Sequence, residues 1–425
     1  MTRRITRIDN GLPTEAWQQL GADIVARLHT LAEISDESGQ LTRLYLGPAH
    51  KRAVALVSNW FETAGLETRV DATGSVVGRY GAQGDGGPVL ILGSHIDTVR
   101  NAGLYDGNLG VVTALTVVER LSRAGVRLPF AIEVVAFGDE EGVRFASALG
   151  GSRALAGRFD PRLLDERDAD GISRRAALEA FGCRPELIAA EARDPGRVLG
   201  YVEVHIEQGP VLEADGLAVG VVTAINGASR GRVGVRGESG HAGTVPMIMR
   251  RDALAAAAEM MLRLEALARA EADLVATVGR IEVAHGAVNT IPGFVSFTLD
   301  IRCPVDAARL DFIERLRREL SLIAEARCVS VQVDLPYDAP AVTSDAGLMA
   351  RLGEAVERQA PPLRLLPSGA GHDAMAFGGR IPSVMLFVRC RGGISHNPDE
   401  FAALEDIDAG ARVLLDFIVG LAVNS

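Results

Sequence analysis

The sequence predicts an α/β fold in which helices pack on a mixed sheet and an α+β insert divides that layer in two. Three observations predict it. An apolar strand at 88–92, a helix-like stretch at 108–124 and a second apolar strand at 130–137 follow one another directly. That order favours parallel pairing through a helical crossover. The pattern then changes near Leu217 to a β-β-α-β-β-α-β run that ends near Leu335. After it, a helix at 346–359 and a buried strand at 381–388 return to the first pattern. With 425 residues, 48% of them hydrophobic and 23% charged, the chain has room for two or three packed domains, and wholesale disorder is excluded.

The elements follow in order. Residues 14–32 and 48–64 space apolar side chains at helical intervals. Residues 66–80 alternate around Gly74 and read as a hairpin. The charged, Ala-rich stretch 160–197 reads as a helical connection, and a strand at 198–204 runs into His205. In the insert, 219–225, 231–237, 274–283, 293–303 and 329–335 read as strands. Its helices are 252–272, with Asp252 as N-cap, and 305–326. In layers of this kind ligands gather beyond the carboxyl ends of the strands.

Composition narrows the function. Against 44 Lys plus Arg stand 55 acids, a formal charge of −11, which argues against a nucleic-acid backbone as partner. The four cysteines (Cys183, Cys303, Cys328, Cys390) form no CxxC motif and read as reduced thiols of a cytoplasmic protein. The basic N-terminus lacks the apolar core of a signal peptide. The longest apolar stretch, 109–118, falls far short of the ~20 residues that span a bilayer, so a soluble protein is expected.

Four clusters could carry chemistry. His95 and Asp97 follow one strand, with Asp106-Gly107 in the loop beyond. Imidazole and carboxylate are first-choice Zn²⁺ ligands where thiolates are not offered, although HxD alone also suits a polar surface loop. Asp139-Glu140-Glu141 follows the next strand. Three successive acids suit either a cation or a solvated helix start. His205 ends a third strand, and His396 lies in the loop after the last one. Three histidines and several acids at strand ends of one layer point to metal. A bridging carboxylate would allow two ions ~3.5–4 Å apart.

The ordered motifs SHID, DG, DEEG, HIEQGP, GHAGT, GHDA and ISHNPDE resemble the M20-type metallo-amidohydrolases, in their hydantoinase/carbamoylase branch. That branch includes N-carbamoyl-L-amino acid hydrolases, β-ureidopropionases and allantoate amidohydrolases. HIEQGP and GISHNPDE are specific to it, and the likeness runs from about residue 15 to the C-terminus. Two local departures, Ser75 and Arg100-Asn101, fall outside the proposed ligands.

The resemblance implies a discontinuous, metallopeptidase-like catalytic domain, 1–212 and 333–425, and a ferredoxin-like lid or dimerisation domain, 213–332. It implies two divalent ions, Zn first, with Mn, Co or Ni as alternatives. His95, Asp106 and His205 would hold one ion. Asp106, Glu141 and His396 would hold the other. Glu140 would be the general base acting on a water activated by the two ions, and Asp97 would orient His95. Gln208, His241, Asn289, Arg302 and His372 would meet the substrate, with His241 stabilising the transition state and Arg302 binding a carboxylate. By residues alone, Arg302 reads as a surface-strand arginine, Asn289 as a turn residue and His241 as a loop histidine. His372 stands between a pocket residue and a structural one. The implied reaction is hydrolysis of a linear C–N bond in an N-carbamoyl-L-amino acid or ureido acid. Allantoate or N-carbamoyl-β-alanine is the nearer alternative, and a non-catalytic scaffold the remote one. A homodimer through the insert is expected, without nucleic acid or membrane.

Overall fold

In the computed structural model, which describes residues 12–83 and 87–423, the chain divides into two compact units. The first ends its opening stretch at Thr223 and resumes at Ser344–Leu366 and from Ala370. The second is Ala224–Thr343 with Pro367–Gly369. The boundaries expected at 213 and 332 therefore fall about eleven residues early. The strand at Val219–Ile225 pairs into the first unit's sheet, and that at Ser330–Ala339 into the second's, which moves both limits forward. The N-terminal stretch read for a signal peptide lies outside the described residues.

In chain order the first unit opens with α1 (Leu20–Ala32), α2 (Pro48–Thr63), β1 (Glu67–Val70), β2 (Val76–Tyr80) and β3 (Val89–His95). It continues with α3 (Asn108–Arg123), β4 (Ala131–Phe137), α4 (Gly150–Leu155), α5 (Arg174–Phe181), β5 (Val198–Ile206), α6 (Val211–Asp215) and β6 (Val219–Ile225). The second unit contains β7 (Gly227–Arg236), β8 (Gly240–His241), α7 (Ala253–Arg269), β9 (Val275–Thr277) and β10 (Ile281–Val283). β11 (Thr290–Ile291), β12 (Phe294–Cys303), α8 (Asp306–Ala326) and β13 (Ser330–Ala339) complete its main elements. The chain then adds α9 (Ala346–Gln359), β14 (Ser383–Val388) and α10 (Leu404–Val423) to the first unit.

The first unit's sheet runs β1-β2-β4-β3-β5-β14-β6. β4, β3, β5 and β14 are parallel, while β2 and β6 pair antiparallel at the flanks. Every residue of β3, β4 and β14 is buried, as parallel strands covered on both faces require. In α1, Leu20, Ile24, Leu28 and Leu31 form a single buried stripe at helical spacing. Helix α3 is buried almost throughout. The parallel order puts the carboxyl ends of β3, β4 and β5 along one edge, where His95, the 138–141 turn and His205 emerge.

The second unit is an antiparallel sheet, β10-β12-β7-β13, with β9 also on β12. Alternate residues of β12 (Val295, Phe297, Leu299, Ile301, Cys303) join α7 and α8 in its core. Asp252 caps α7, accepting from the backbone N–H of Leu254 and Ala255 at 2.9 and 3.0 Å. The single strand expected at 274–283 is two short ones, both on β12.

Residues 160–197 are not a continuous helical connection. Apart from α5 they hold 3₁₀ turns opening at Pro161, Pro185 and Pro195, since a proline starts a turn but interrupts a longer helix. The expected helix at 14–32 also breaks, with Gln19 in the left-handed region at φ 57°. Among the described residues no helix is long and apolar enough to cross a membrane.

Gly110 sets how closely α3 approaches β5. A Cβ there would lie 2.2 Å from the Val204 carbonyl oxygen and 2.7 Å from Ser94 Cβ. Gly110→Ala should therefore lower stability by about 1–3 kcal/mol or more through overpacking. Gly196→Ala, whose Cβ would meet nothing nearer than 3.5 Å, should change little. Urea unfolding midpoints check the pair; an unchanged midpoint for Gly110→Ala would show that α3 can move away at no cost.

Candidate metal centre

Asp106 lies at the focus of the first unit's strand ends. Its Oδ1 is 3.1 Å from His205 Nε2 and 3.7 Å from His95 Nε2. Its Oδ2 is 3.2 Å from His396 Nε2, and Glu141 Oε2 is 3.7 Å from the same nitrogen. His95, Asp106 and His205 thus form one group of donor atoms within 4.8 Å of one another, and Asp106, Glu141 and His396 a second. A third joins His95, Glu140 and Glu141, with Glu140 Oε2 3.9 Å from His95 Nε2. The structure therefore brings together all five residues singled out as ligands and the one singled out as base.

The imidazoles are aimed from behind. His95 Nδ1 faces the Asp97 carbonyl at 3.0 Å, and His205 Nδ1 faces the Ile206 carbonyl at 2.9 Å. Each Nδ1 thus carries a proton, and Nε2 is the nitrogen turned toward Asp106. Asp97 was expected to orient His95; its carbonyl is the oxygen that faces Nδ1, while its Oδ1 stands 3.7 Å away. The Asp97 carboxylate instead accepts from the N–H groups of Glu140 and Glu141, both at 3.2 Å, and ties β3's end to the acidic turn.

Charge dominates this pocket. Burial, with Glu141, Asp373 and Asp97 adding repulsion, pushes Glu140 well above the usual carboxylate range, although His95 opposes this. Burial and Asp106 raise Glu141 to about 7. Burial alone would lower His95, but Glu140, Asp97 and Asp106 carry it well above its ordinary value. The hydrogen bond to Asp106 raises His396 to about 9. Asp97, Asp106, Glu140 and Glu141 crowd one space and require positive charge, which a divalent cation supplies more compactly than protonated imidazoles. Imidazole and carboxylate oxygen donors without thiolate suit Zn²⁺, Mn²⁺, Co²⁺ or Ni²⁺.

Several partners carried no local signal in the sequence. Glu400 Oε1 accepts from the N–H groups of Tyr105 and Asp106 at 2.9 and 3.0 Å. Ser395 Oγ donates to Glu400 Oε2 at 3.0 Å. Both lie inside the ISHNPDE motif, which was the one available hint. Gln208 Nε2 donates to Asp106 Oδ2 at 3.0 Å and to Ser395 Oγ at 2.9 Å, beside the candidate ligands. Asp139, at φ 70°, pairs with the buried Arg174, which also reaches Glu166 Oε2 at 3.0 Å. Asn101, Gln208 and His396 are left-handed too, so four non-glycine residues at or near the site hold a conformation they ordinarily avoid.

The other histidines separate. His372 is buried edge-on against His205, ring centroids 4.4 Å apart, and burial with His205 pushes it well below its usual pKa. His50 is buried in α2 and lowered by burial to about 3, while His29 is exposed. His285 occupies a left-handed turn. In the second unit, Thr290 pairs with His241 and Ala242 N–H donates to the Asn289 carbonyl at 2.9 Å, so His241 and Asn289 are neighbours. Arg302 lies in a cleft of about 650 Å³ within that unit. Its Nε and Nη2 donate to Asp300 at 2.8 Å each, and Nη1 donates to the Gly369 carbonyl at 2.6 Å.

Comparison with known proteins gives the chain its relatives. The model of peptidase family M20/M25/M40 matches residues 91–419. Allantoate deiminase of Arabidopsis thaliana is 40% identical over 93% of this chain and 81% of its own. N-carbamoyl-L-amino acid amidohydrolase of Geobacillus stearothermophilus is 39% identical over 95% of this chain and 98% of its own. The crystal structure of a hydantoinase/carbamoylase family amidase from Burkholderia multivorans superposes with a TM-score of 0.88 at 35% identity, covering 95% of this chain and 98% of that one.

Returning Zn²⁺ to chelator-stripped protein should raise its thermal midpoint, with a gain of about 2.7 kcal/mol at a hundredfold excess over Kd. Asp106→Ala, which removes the residue common to two donor groups, should lose most of that gain. An equal response in the variant would locate the ion elsewhere.

Proposed function

The chain belongs to peptidase family M20/M25/M40, and on that premise we propose that it hydrolyses the linear C–N bond of an N-carbamoyl-L-amino acid or a related ureido acid. The carrying observation is the pair of donor groups that share Asp106, with Glu140 beside them. The names of the relatives, allantoate deiminase and N-carbamoyl-L-amino acid amidohydrolase, support the substrate class.

Two divalent ions, Zn²⁺ first, would be held by His95, Asp106 and His205 and by Asp106, Glu141 and His396. When bound they supply Lewis-acid polarisation and make hydroxide available near neutral pH. The residues do the rest. Glu140, drawn up in pKa by burial and neighbouring acids, accepts the proton of the attacking water and passes it to the departing nitrogen. Asp97 fixes the backbone from which Glu140 projects. Gln208 holds Asp106 in register with Ser395. His372 stays neutral, so any contact it makes with substrate is a neutral hydrogen bond.

His241 would donate to the developing oxyanion, and Asn289, its neighbour, would hold the substrate. Arg302 would clasp the substrate carboxylate, because its planar fork matches two oxygens at once. Association of two copies through the second unit belongs to the same proposal.

Ammonia release from a panel of N-carbamoyl-L-amino acids, allantoate and N-carbamoyl-β-alanine tests the proposal. Turnover of at least one is expected, and Glu140→Gln should reduce kcat by about 10²–10⁴-fold while metal uptake persists. No turnover of any ureido acid by metal-loaded protein would refute the activity. Arg302→Ala should raise KM for carboxylate substrates by about tenfold or more and leave kcat nearly unchanged. An unchanged KM would remove Arg302 as the anchor.

A further inference from the structure

Arg43, between α1 and α2, is fully buried and forms no direct ion pair among those the structure shows. Its Nε donates to the Ile34 carbonyl at 3.2 Å, just past α1, and its Nη2 to the Leu31 carbonyl at 2.5 Å, in the last turn of that helix. Carbonyls there carry the negative end of the helix dipole and suit a cation. Its Nη1 donates to two further oxygens, the Ile96 carbonyl at 2.8 Å and Asn108 Oδ1 at 3.0 Å. The backbone adds a second grip: Arg43 N–H donates to Thr98 Oγ1 at 2.9 Å, and Thr98 N–H donates to the Arg43 carbonyl at 3.0 Å.

These oxygens are not scattered. Ile96 lies between His95 and Asp97, and Asn108 stands two residues beyond Asp106. One nitrogen therefore holds both segments that bring His95 and Asp106 together. Asp97, next to Ile96, binds the N–H groups of Glu140 and Glu141, so the same turn reaches the acidic segment. A planar guanidinium fixes all four oxygens in one rigid pattern, which a lysine ammonium on a flexible stem does not reproduce. Burial lowers its pKa to about 10, opposed by the charges of Asp97 and Asp36, so the cation persists at neutral pH. A buried cation is expensive to keep unless its bonds are used.

We propose that Arg43 is a positioning residue of the metal centre, setting the spacing between the His95–Asp97 turn and the Asp106–Asn108 segment. The proposal rests on the reading of His95 and Asp106 as metal ligands. It assigns Arg43 no contact with substrate or ion.

Two variants test it on the full-length protein. Arg43→Lys keeps the charge and loses the fork. Asn108→Ala cuts one bond and leaves Arg43 in place, so it carries the test should Arg43→Lys fail to fold. Co²⁺ affinity is read by chelator competition, site geometry by the visible Co²⁺ spectrum, and stability by the thermal midpoint of metal-free protein. Both variants should bind Co²⁺ about 10–100-fold more weakly with an altered spectrum, the range seen when residues supporting metal ligands are removed. The kcat should fall while KM stays within about twofold. Unchanged affinity and spectrum in folded variants, with only a lower metal-free midpoint, would reduce Arg43 to a structural plug. Wild-type protein that binds no Co²⁺, or binds it as well after Asp106→Ala, would overturn the metal reading and this proposal with it.

Discussion

The site depends on one constraint: the Asp106 carboxylate must face three imidazoles at once. His95 and His205 meet one of its oxygens and His396 the other. The two oxygens of a carboxylate are too close together for separate sites, so the groups around them must share a border. That border fixes the rest. β3 and β5 must be adjacent and parallel to deliver two imidazoles to one oxygen, and the loop after β14 must return to deliver the third. The sheet order β4-β3-β5-β14 satisfies this with neighbouring strand ends.

Crowding acids in this way is unfavourable, and the fold answers with cations set behind the site. Arg43 lies under the turn that carries His95 and Asp97. Arg174 pairs with Asp139, immediately before Glu140, at a position whose φ of 70° carries backbone strain. Even with Arg174 beside it, burial raises Asp139 to about 7. Both arginines grip backbone, Arg43 through the Ile96 carbonyl and Arg174 through the Ser147 carbonyl, and Arg174 grips charge as well. A cation that only neutralised charge could be mobile; one bonded to carbonyls also resists the strain that the acidic turn stores.

This division explains what the sequence made legible. The candidate ligands were readable because imidazoles and acids stand at or just beyond strand ends, and the apolar runs that mark those strands are local. Their supports were not, because each meets its partner far along the chain. Arg43 reaches Asn108 across 65 positions, and Glu400 reaches Asp106 across 294. Neither residue stands out from its neighbours in composition. Periodicity also failed where proline decided the outcome. Residues 160–197 have helical composition, but Pro161, Pro185 and Pro195 cut them into short turns. The strand expected at 274–283 divides near Gly279, and its two halves pair with different parts of β12. The apolar stripe of Asp252's helix, by contrast, needed no distant partner to be recognised.

The same logic of prior engagement governs Arg302. A guanidinium has five N–H donors. Asp300 takes one from Nε and one from Nη2, and the Gly369 carbonyl takes one from Nη1. One donor remains on each terminal nitrogen, which suffices for an end-on clasp of a carboxylate without breaking a bond already made. The neighbouring Arg230 also bonds Asp300, at 3.0 Å, so the acid is shared between two cations and leaves the cluster with net positive charge. A lysine could neutralise Asp300 or an incoming carboxylate, but its three donors radiate from one point and could not present a flat pair to the second while holding the first. The acid beside Arg302 therefore occupies two of its five donors and leaves one on each terminal nitrogen outside these three bonds.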